Sequence, residues 1–409
     1  MQHRIIVLGA GYTGAVAAGR LAKRLHGDDV AITLVNAEPD FVERVRLHQL
    51  AAGQDLKARP FDEMFAGTGV VPLLAKVTGV DVDRKTVAVV DGDGGAGELE
   101  YDTLVYALGS GWDDRGVPGA AEYAHQIASR AGALRLRERL AGLAAGEPVV
   151  VVGGGLTGVE AATEIAEARP DLDVALAVSG GLGDWLSPKG RGHLRKVCDG
   201  LGITVHEHAA VTAVAADHVT TGDGAVVPAA VTVWTTGFAV HPIVRATTLE
   251  AGDTGRIVVD QTMRSVSHPD VYAVGDAALA TGPGDKPLRM SCASGVPMAW
   301  QAADAIAARL TGGKIPRTPI RYFNQCISLG RKEGLIQYVT ADDRAVGAAL
   351  TGRFAAVYKE LVCKAAAWGV ANPTMGLPVR RRHVAGGAAE RAGAAAGAAT
   401  AAATARASA

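Results

Sequence analysis

Two glycine-spaced segments carry the strongest chemical signal in this 409-residue chain. Gly9-Ala10-Gly11-Tyr12-Thr13-Gly14 fits the pattern G-x-G-x-x-G, and Gly153-Gly154-Gly155-Leu156-Thr157-Gly158 fits it again. The spacing suits the pyrophosphate of a dinucleotide. Gly9 and Gly153 permit a tight turn, Gly11 and Gly155 let phosphates approach the backbone, and Gly14 and Gly158 let a helix pack closely on its strand. The helix that follows turns unpaired N–H groups toward the phosphate charge. Past the first turn, Asn36 and Glu38 are the candidates for the adenosine ribose: Asn36 holds the end-of-strand position, and Glu38, the favoured one, supplies a carboxylate. The corresponding strand after the second turn ends Val178-Ser179-Gly180, with no acid to accept from a ribose 2′-hydroxyl or to repel a 2′-phosphate. Lys189, Arg191 and Arg195 follow and could neutralise such a phosphate or simply form a solvated helix face, so NADH and NADPH both stay open.

Each turn needs a strand before it and a helix after it. The apolar run Arg4–Leu8 and the pattern Ala15–Leu25 supply these for the first, with a further strand at Ala31–Val35. Pro148–Val152, Val159–Ala168 and Val174–Val178 repeat the unit for the second. Between them, Lys76-Val77, Thr86–Val90 and Tyr101–Leu108 read as strands, with a hairpin tip at Asp91–Gly97. The runs Val226–Trp234 and Val271–Val274 follow, and from Pro316 to about Arg382 short strands mix with one helix. The fold class is therefore α/β, with two Rossmann-like dinucleotide-binding domains and a smaller α+β C-terminal domain. The expected segments are 1–112 and 239–315 for the first domain, 113–238 for the second, 316–384 for the third, and a low-complexity Ala/Gly tail over 385–409 predicted to be disordered.

Composition narrows the partners. A formal charge of −1 gives no electrostatic reason to bind nucleic acid. There is no apolar run long enough to span a bilayer, and a strand starting at Arg4 leaves no room for a signal peptide. Cys198, Cys292, Cys326 and Cys363 are too scattered for a dithiol motif or a zinc knuckle, so no metal is expected and a reducing cytoplasmic setting fits.

The two turns, together with Val271-Tyr-Ala-Val-Gly-Asp276-Ala277, resemble the pyridine nucleotide–disulfide oxidoreductase superfamily over residues 3–310, most closely its type II NADH dehydrogenases and AIF-like oxidoreductases. The resemblance implies FAD at the first turn and NADH or NADPH at the second. It implies that Gly275 and Asp276 meet the ribityl chain, that Thr103–Gly109 closes the FAD pyrophosphate site, that Trp234–Gly237 is its counterpart on return, and that the backbone of Val77 lies by adenine. In disulfide-reducing branches two cysteines follow the first unit; here Phe41–Gly53 has none, so reduced flavin must pass electrons directly to a small acceptor. Arg44, Arg46 and His48 fall in that stretch, where a cation would stabilise a reduced ring and His48 could deliver a proton. Glu160 falls where the resembling dehydrogenases bring an acid toward nicotinamide and flavin, and Glu164 lies one helical turn further on. The helix opening at Val296 after Ser291-Cys292-Ala-Ser-Gly295 matches the one whose N-terminus faces the flavin. Quinone-using relatives carry Ala-Gln near its start, whereas this chain has Ala299-Trp300, with Gln301 and Asp304 following; Trp300 could stack on a flat ligand or pack as core.

The expected activity is FAD-dependent NAD(P)H oxidoreduction with a quinone-like or other small acceptor. A biosynthetic flavin oxidoreductase acting on a specialised metabolite and an NAD(P)H-responsive redox sensor are the alternatives. In the third domain Phe354, Val357, Leu361, Val362 and Trp368 recur at helical spacing, followed by Arg380-Arg381-Arg382. That face would suit a membrane surface, the cover of a core, or a homodimer seam, so the setting is cytoplasmic with peripheral contact at the inner membrane face left open.

Overall fold

The computed structural model describes residues 1–316 and 318–385. The predicted disordered tail falls, apart from Ala385, outside them. The chain starts with β1 (His3–Leu8), α1 (Tyr12–Arg24) and β2 (Val30–Asn36), then passes a short helix α2 (Leu47–Ala51). A long strand β3 (Val70–Asp81) leads to β4 (Thr86–Asp91), β5 (Ala96–Glu100) and β6 (Thr103–Tyr106). A second unit comprises β7 (Ala124–Gln126), α3 (Arg130–Ala141), β8 (Pro148–Val152), α4 (Leu156–Ala168), β9 (Asp173–Ala177), α5 (Pro188–Gly200), β10 (Thr204–His206) and β11 (Val231–Trp234). The chain returns through β12 (Val271–Ala273) and α6 (Cys292–Leu310), then builds a third sheet from β13 (Asn324–Leu329), β14 (Glu333–Val339) and β15 (Ala345–Thr351), closed by α7 (Arg353–Ala371).

The first sheet has the order β12-β6-β1-β2-β3-β4-β5. Its strands β12, β6, β1, β2 and the first half of β3 are parallel, and β3–β5 continue it as an antiparallel meander. The second, β10-β9-β8-β11-β7, is parallel throughout. Parallel strands are covered on both faces, which is why β1 and β8 read as continuous apolar runs rather than alternating ones. Ile5 to Leu8 and Val149 to Val152 are all buried. The third module belongs to both cores: Ile327, Leu329 and Leu335 pack with the second unit, while Ala367 and Val370 of α7 pack with the first.

Three helices begin earlier than the apolar pattern predicts. α1 starts at Tyr12 rather than Ala15, α4 at Leu156 rather than Val159, and α6 at Cys292 rather than Val296. The first turn of each is selected by where N–H groups point, not by which side chains are buried, so hydrophobic spacing does not register it. The predicted strand Tyr101–Leu108 is shorter in the ladder, β6 ending at Tyr106 so that Gly109 can turn.

Candidate active site

The two glycine turns are built alike. Gly9 has φ +88°, and a Cβ there would lie 2.5 Å from the Ala107 carbonyl oxygen; one on Gly14 would fall on the Gly9 carbonyl. Gly153 has φ +124°, with a Cβ position 2.6 Å from Thr235 Oγ1, and one on Gly158 would fall on the Gly153 carbonyl. Gly11 and Gly155 differ: a Cβ on either meets nothing within 4 Å. Each is the N-cap of its helix and offers no side chain to the first-turn N–H groups. Open space before an uncapped helix start is what a phosphate requires, so both cradles fit a dinucleotide.

Asn36 holds the first cradle from the end of β2. Its Oδ1 accepts from Ala10 N at 2.9 Å and its Nδ2 donates to the Glu38 carbonyl at 2.8 Å. The carboxylate of Glu38 is left exposed, available for a ribose. Across the cradle, Arg44 donates to the Ser110 carbonyl at 2.8 Å and Ser110 Oγ donates to Asp276 Oδ2 at 2.6 Å. Arg44 Nη1 lies 4.0 Å from that carboxylate. Gly109, at φ +70°, faces Arg44, and Gly275 and Gly295 both press on Thr13. The turn, the Gly275-Asp276 corner and the first turn of α6 thus meet at one threonine. Ser110 and Thr13 carried no signal in the sequence beyond standing beside glycines.

The second centre is a buried ion pair. Glu160, on α4 after the second cradle, accepts at Oε1 from Lys359 Nζ of α7 at 2.9 Å and from Ser328 N of β13 at 2.9 Å. Lys359 also donates to the Cys326 carbonyl at 3.0 Å. Burial pushes the Glu160 carboxyl up, but Lys359, His48 and the Ser328 N–H outweigh it and hold it below the ordinary range. Burial likewise pulls Lys359 down, and Glu160 more than reverses this. His48 Nδ1 lies 4.0 Å from Glu160 Oε2, beyond hydrogen-bond reach, and its Nε2 has no partner. Burial drives its imidazole down to about 4, Glu160 opposing. At neutral pH burial thus favours the neutral imidazole of His48, which keeps one ring N–H. One turn along α4, Glu164 accepts only from Gln54 Nε2, its other oxygen is unpartnered, and burial pushes it up to about 7 against the pull of Arg331 and Gln54.

Other expected residues lie elsewhere. Arg46 is buried in an ion-pair network: Glu43 stands at 3.1 Å and Glu360 of α7 accepts from it at 3.0 and 2.9 Å. Arg44, two residues earlier on a single 3-10 turn, is the cation that faces Asp276. Trp300 packs against the first unit's core with the Arg20 guanidinium 5.7 Å above its ring, while Asp304 pairs with Arg20 and Arg24 of α1. These polar and aromatic side chains join α6 to α1. Val77 is buried in β3 beside a bulge against β4, and Gly237, at φ +87°, closes against Arg115. The four cysteines are free, and burial raises all of their thiols, Cys363 to about 11. Among the described residues no group of three ligands could hold a metal ion.

Comparison with known proteins agrees with this geometry. A family model described as pyridine nucleotide-disulphide oxidoreductase matches residues 3–307. The chain is 30% identical over 316 residues to the NADH dehydrogenase-like protein Rv1812c of Mycobacterium tuberculosis, covering 72% of this chain and 78% of that protein. It is 27% identical over 378 residues to demethylphylloquinone reductase NdbB of Synechocystis, covering 88% and 91%. The structure of NDH2 from Plasmodium falciparum in complex with NADH shares the fold with a TM-score of 0.76 at 14% identity, covering 93% and 99%.

Proposed function

The chain belongs to the pyridine nucleotide-disulphide oxidoreductase family, and from that membership we propose that it is an FAD-dependent NAD(P)H dehydrogenase that reduces a lipophilic, quinone-like acceptor directly. Bound at the first cradle, FAD would accept hydride from the nicotinamide nucleotide at the second and release electrons to the acceptor. The chain's own residues bind, orient and set charge. Arg44 and the N-terminus of α6 would supply positive potential to a reduced ring bound beside them, and Asp276, fixed by Ser110, suits the ribityl hydroxyls. Glu160 stays ionised because Lys359 and Ser328 N bind one of its oxygens, leaving Oε2 on the His48 side for a ligand. Phe41–Gly53 contains no cysteine, so nothing in that stretch could relay electrons as a dithiol.

One observation carries the lipophilic acceptor. α7 turns its small residues inward, with Ala355, Cys363, Ala367 and Val370 buried, and its large ones outward. Phe354 is 82% exposed, Val357 and Leu361 59%, and Trp368 47%. The core is covered by the small residues of this helix, so its large apolar side chains are left for another partner. Arg353 and Lys364 of the same helix are also exposed, and basic residues beside apolar ones suit an anionic bilayer surface where lipophilic quinones dissolve. No described helix is long and apolar enough to cross a membrane. The test is anaerobic stopped-flow mixing of FAD-loaded protein with NADH or NADPH, followed by menadione, a long-chain quinone in vesicles, or oxygen. Rapid bleaching with fast reoxidation by quinone is expected. Failure to bind flavin, or a single slow reduction that no quinone reverses, would end this reading; the latter would leave the redox sensor.

A further inference from the structure

The acid missing from the end of β9 is supplied from the following loop, and we propose that Asp184 acts as the ribose-binding carboxylate that makes the second cradle prefer NADH over NADPH. The inference rests on the second cradle holding a nicotinamide nucleotide. After β9 the chain runs Val178-Ser179-Gly180-Gly181-Leu182-Gly183-Asp184-Trp185 before α5. The Asp184 side chain folds back over this turn, and its Oδ2 accepts from Gly181 N at 2.6 Å. A Cβ on Gly180 would lie 3.2 Å from Asp184 Oδ2, and one on Gly181 2.6 Å from Oδ1. The two glycines thus leave the volume that the carboxylate enters, directly beyond the strand end where a ribose acid belongs.

The loop is fixed to the cradle itself. Trp185, next to Asp184, donates from Nε1 to the Gly154 carbonyl at 3.1 Å, and Val178 packs against Gly154. The loop that carries Asp184 is therefore tied at Gly154 to the turn that would hold the pyrophosphate. Its side chain is 57% exposed, open to a nucleotide arriving from solvent.

Of the three basic residues that the sequence offers to a 2′-phosphate, two are engaged and Lys189 is exposed. Arg191 pairs with Asp184 at 3.2 Å, and Arg195 pairs with Glu207 at 2.7 Å, Glu207 also accepting from Leu182 N. A 2′-phosphate would meet the Asp184 carboxylate and would have to draw Arg191 away from it, whereas a 2′-hydroxyl donates to that carboxylate directly.

The experiment measures binding of NAD⁺ and NADP⁺ to the FAD-loaded full chain by calorimetry, alongside kcat/KM for NADH and NADPH. Wild type is expected to favour the unphosphorylated nucleotide by at least about tenfold, the scale of one hydrogen bond to a charged group. Asp184→Asn keeps the acceptor for Gly181 N, removes the charge and frees Arg191, so most of that gap should close through tighter NADP⁺ binding. Arg191→Ala should widen the gap. Equal or inverted preference in wild type, an Asp184→Asn effect that weakens both nucleotides alike, or a larger shift from Glu207→Gln would overturn the assignment. Binding of neither nucleotide would instead remove the dehydrogenase reading, and this inference with it.

Discussion

Replacing Lys359 by Met tests the buried pair at the centre of the site. The substitution keeps the length of the side chain and removes its charge, leaving Glu160 ionised with the Ser328 N–H as its one close donor. The two side chains are only 13% and 10% exposed, so solvent would compensate little. Breaking a buried pair by removing one partner costs about 3–5 kcal/mol, most of it from the stranded charge. The double variant Lys359→Met/Glu160→Gln has no stranded charge, and its amide oxygen can still accept from Ser328 N; it should recover most of that loss. The pH dependence has a definite sign. In wild type Glu160 lies below its ordinary 4.5, so its contribution is present above that value and is lost as pH falls through the depressed one. Lys359 lies above 10.5, so its contribution is present below that value and is lost as pH rises through the raised one. The deficit of the single variant should therefore span the range between and shrink in acid, where Glu160 protonates. Urea unfolding of the FAD-loaded proteins across this range is the assay. A single variant as stable as wild type at neutral pH, or a deficit that the double variant leaves untouched, would refute the reasoning.

Three further outcomes follow from the same geometry. Gly11→Val and Gly155→Val place side chains in open space at ordinary backbone angles, so unfolding midpoints should change by less than about 1 kcal/mol, while the first loses FAD in absorbance titrations and the second loses only nicotinamide binding. Glu164 sits at about 7 against an ordinary 4.5, so wild type should lose stability as pH rises between those values; Glu164→Gln should be more stable by about 3 kcal/mol at pH above 7 and equal in acid, as urea curves would reveal. Phe354→Ser/Leu361→Ser/Trp368→Ser should lower sedimentation with phosphatidylglycerol vesicles at least about tenfold while leaving menadione reduction intact, and unchanged sedimentation would remove the bilayer from the proposal.

What could be read from the sequence is what short-range geometry fixes. Both cradles were legible because strand, glycine and helix are contiguous, and the conformations of Gly9 and Gly153 exclude most other residues. The position of Glu160 on α4 was legible because that helix follows directly from the second turn. Lys359 was not, since nothing in α7 announces a partner on α4. Arg44 and Arg46 could not be told apart: two residues of one 3-10 turn point different ways, and only the position of Glu360 decides which is neutralised. The Arg20 contact of Trp300 had no sequence signal either, because the two residues lie far apart in the chain. The fold-back of Asp184 had no such signal, because a rule that counts residues from the strand end overlooks a side chain that returns to it.

The third module therefore does more than close the fold. Lys359 and Glu360 are consecutive on α7, and neighbours on a helix project about 100° apart, so one helix can reach two bodies at once. Lys359 binds Glu160 of the second unit, and Glu360 binds Arg46 of the first and Arg331 of the third sheet's hairpin. Burial raises the Glu360 carboxyl, yet Arg46 and Arg331 hold it down at about 2, so this clamp stays charged at any pH at which the protein would work. Lys359 is largely buried and turned away from Phe354, Val357 and Leu361, whereas Glu360 lies on the flank of α7 between the buried and exposed faces. Adjacent residues of one helix thus tie α7 to both units and to the third sheet.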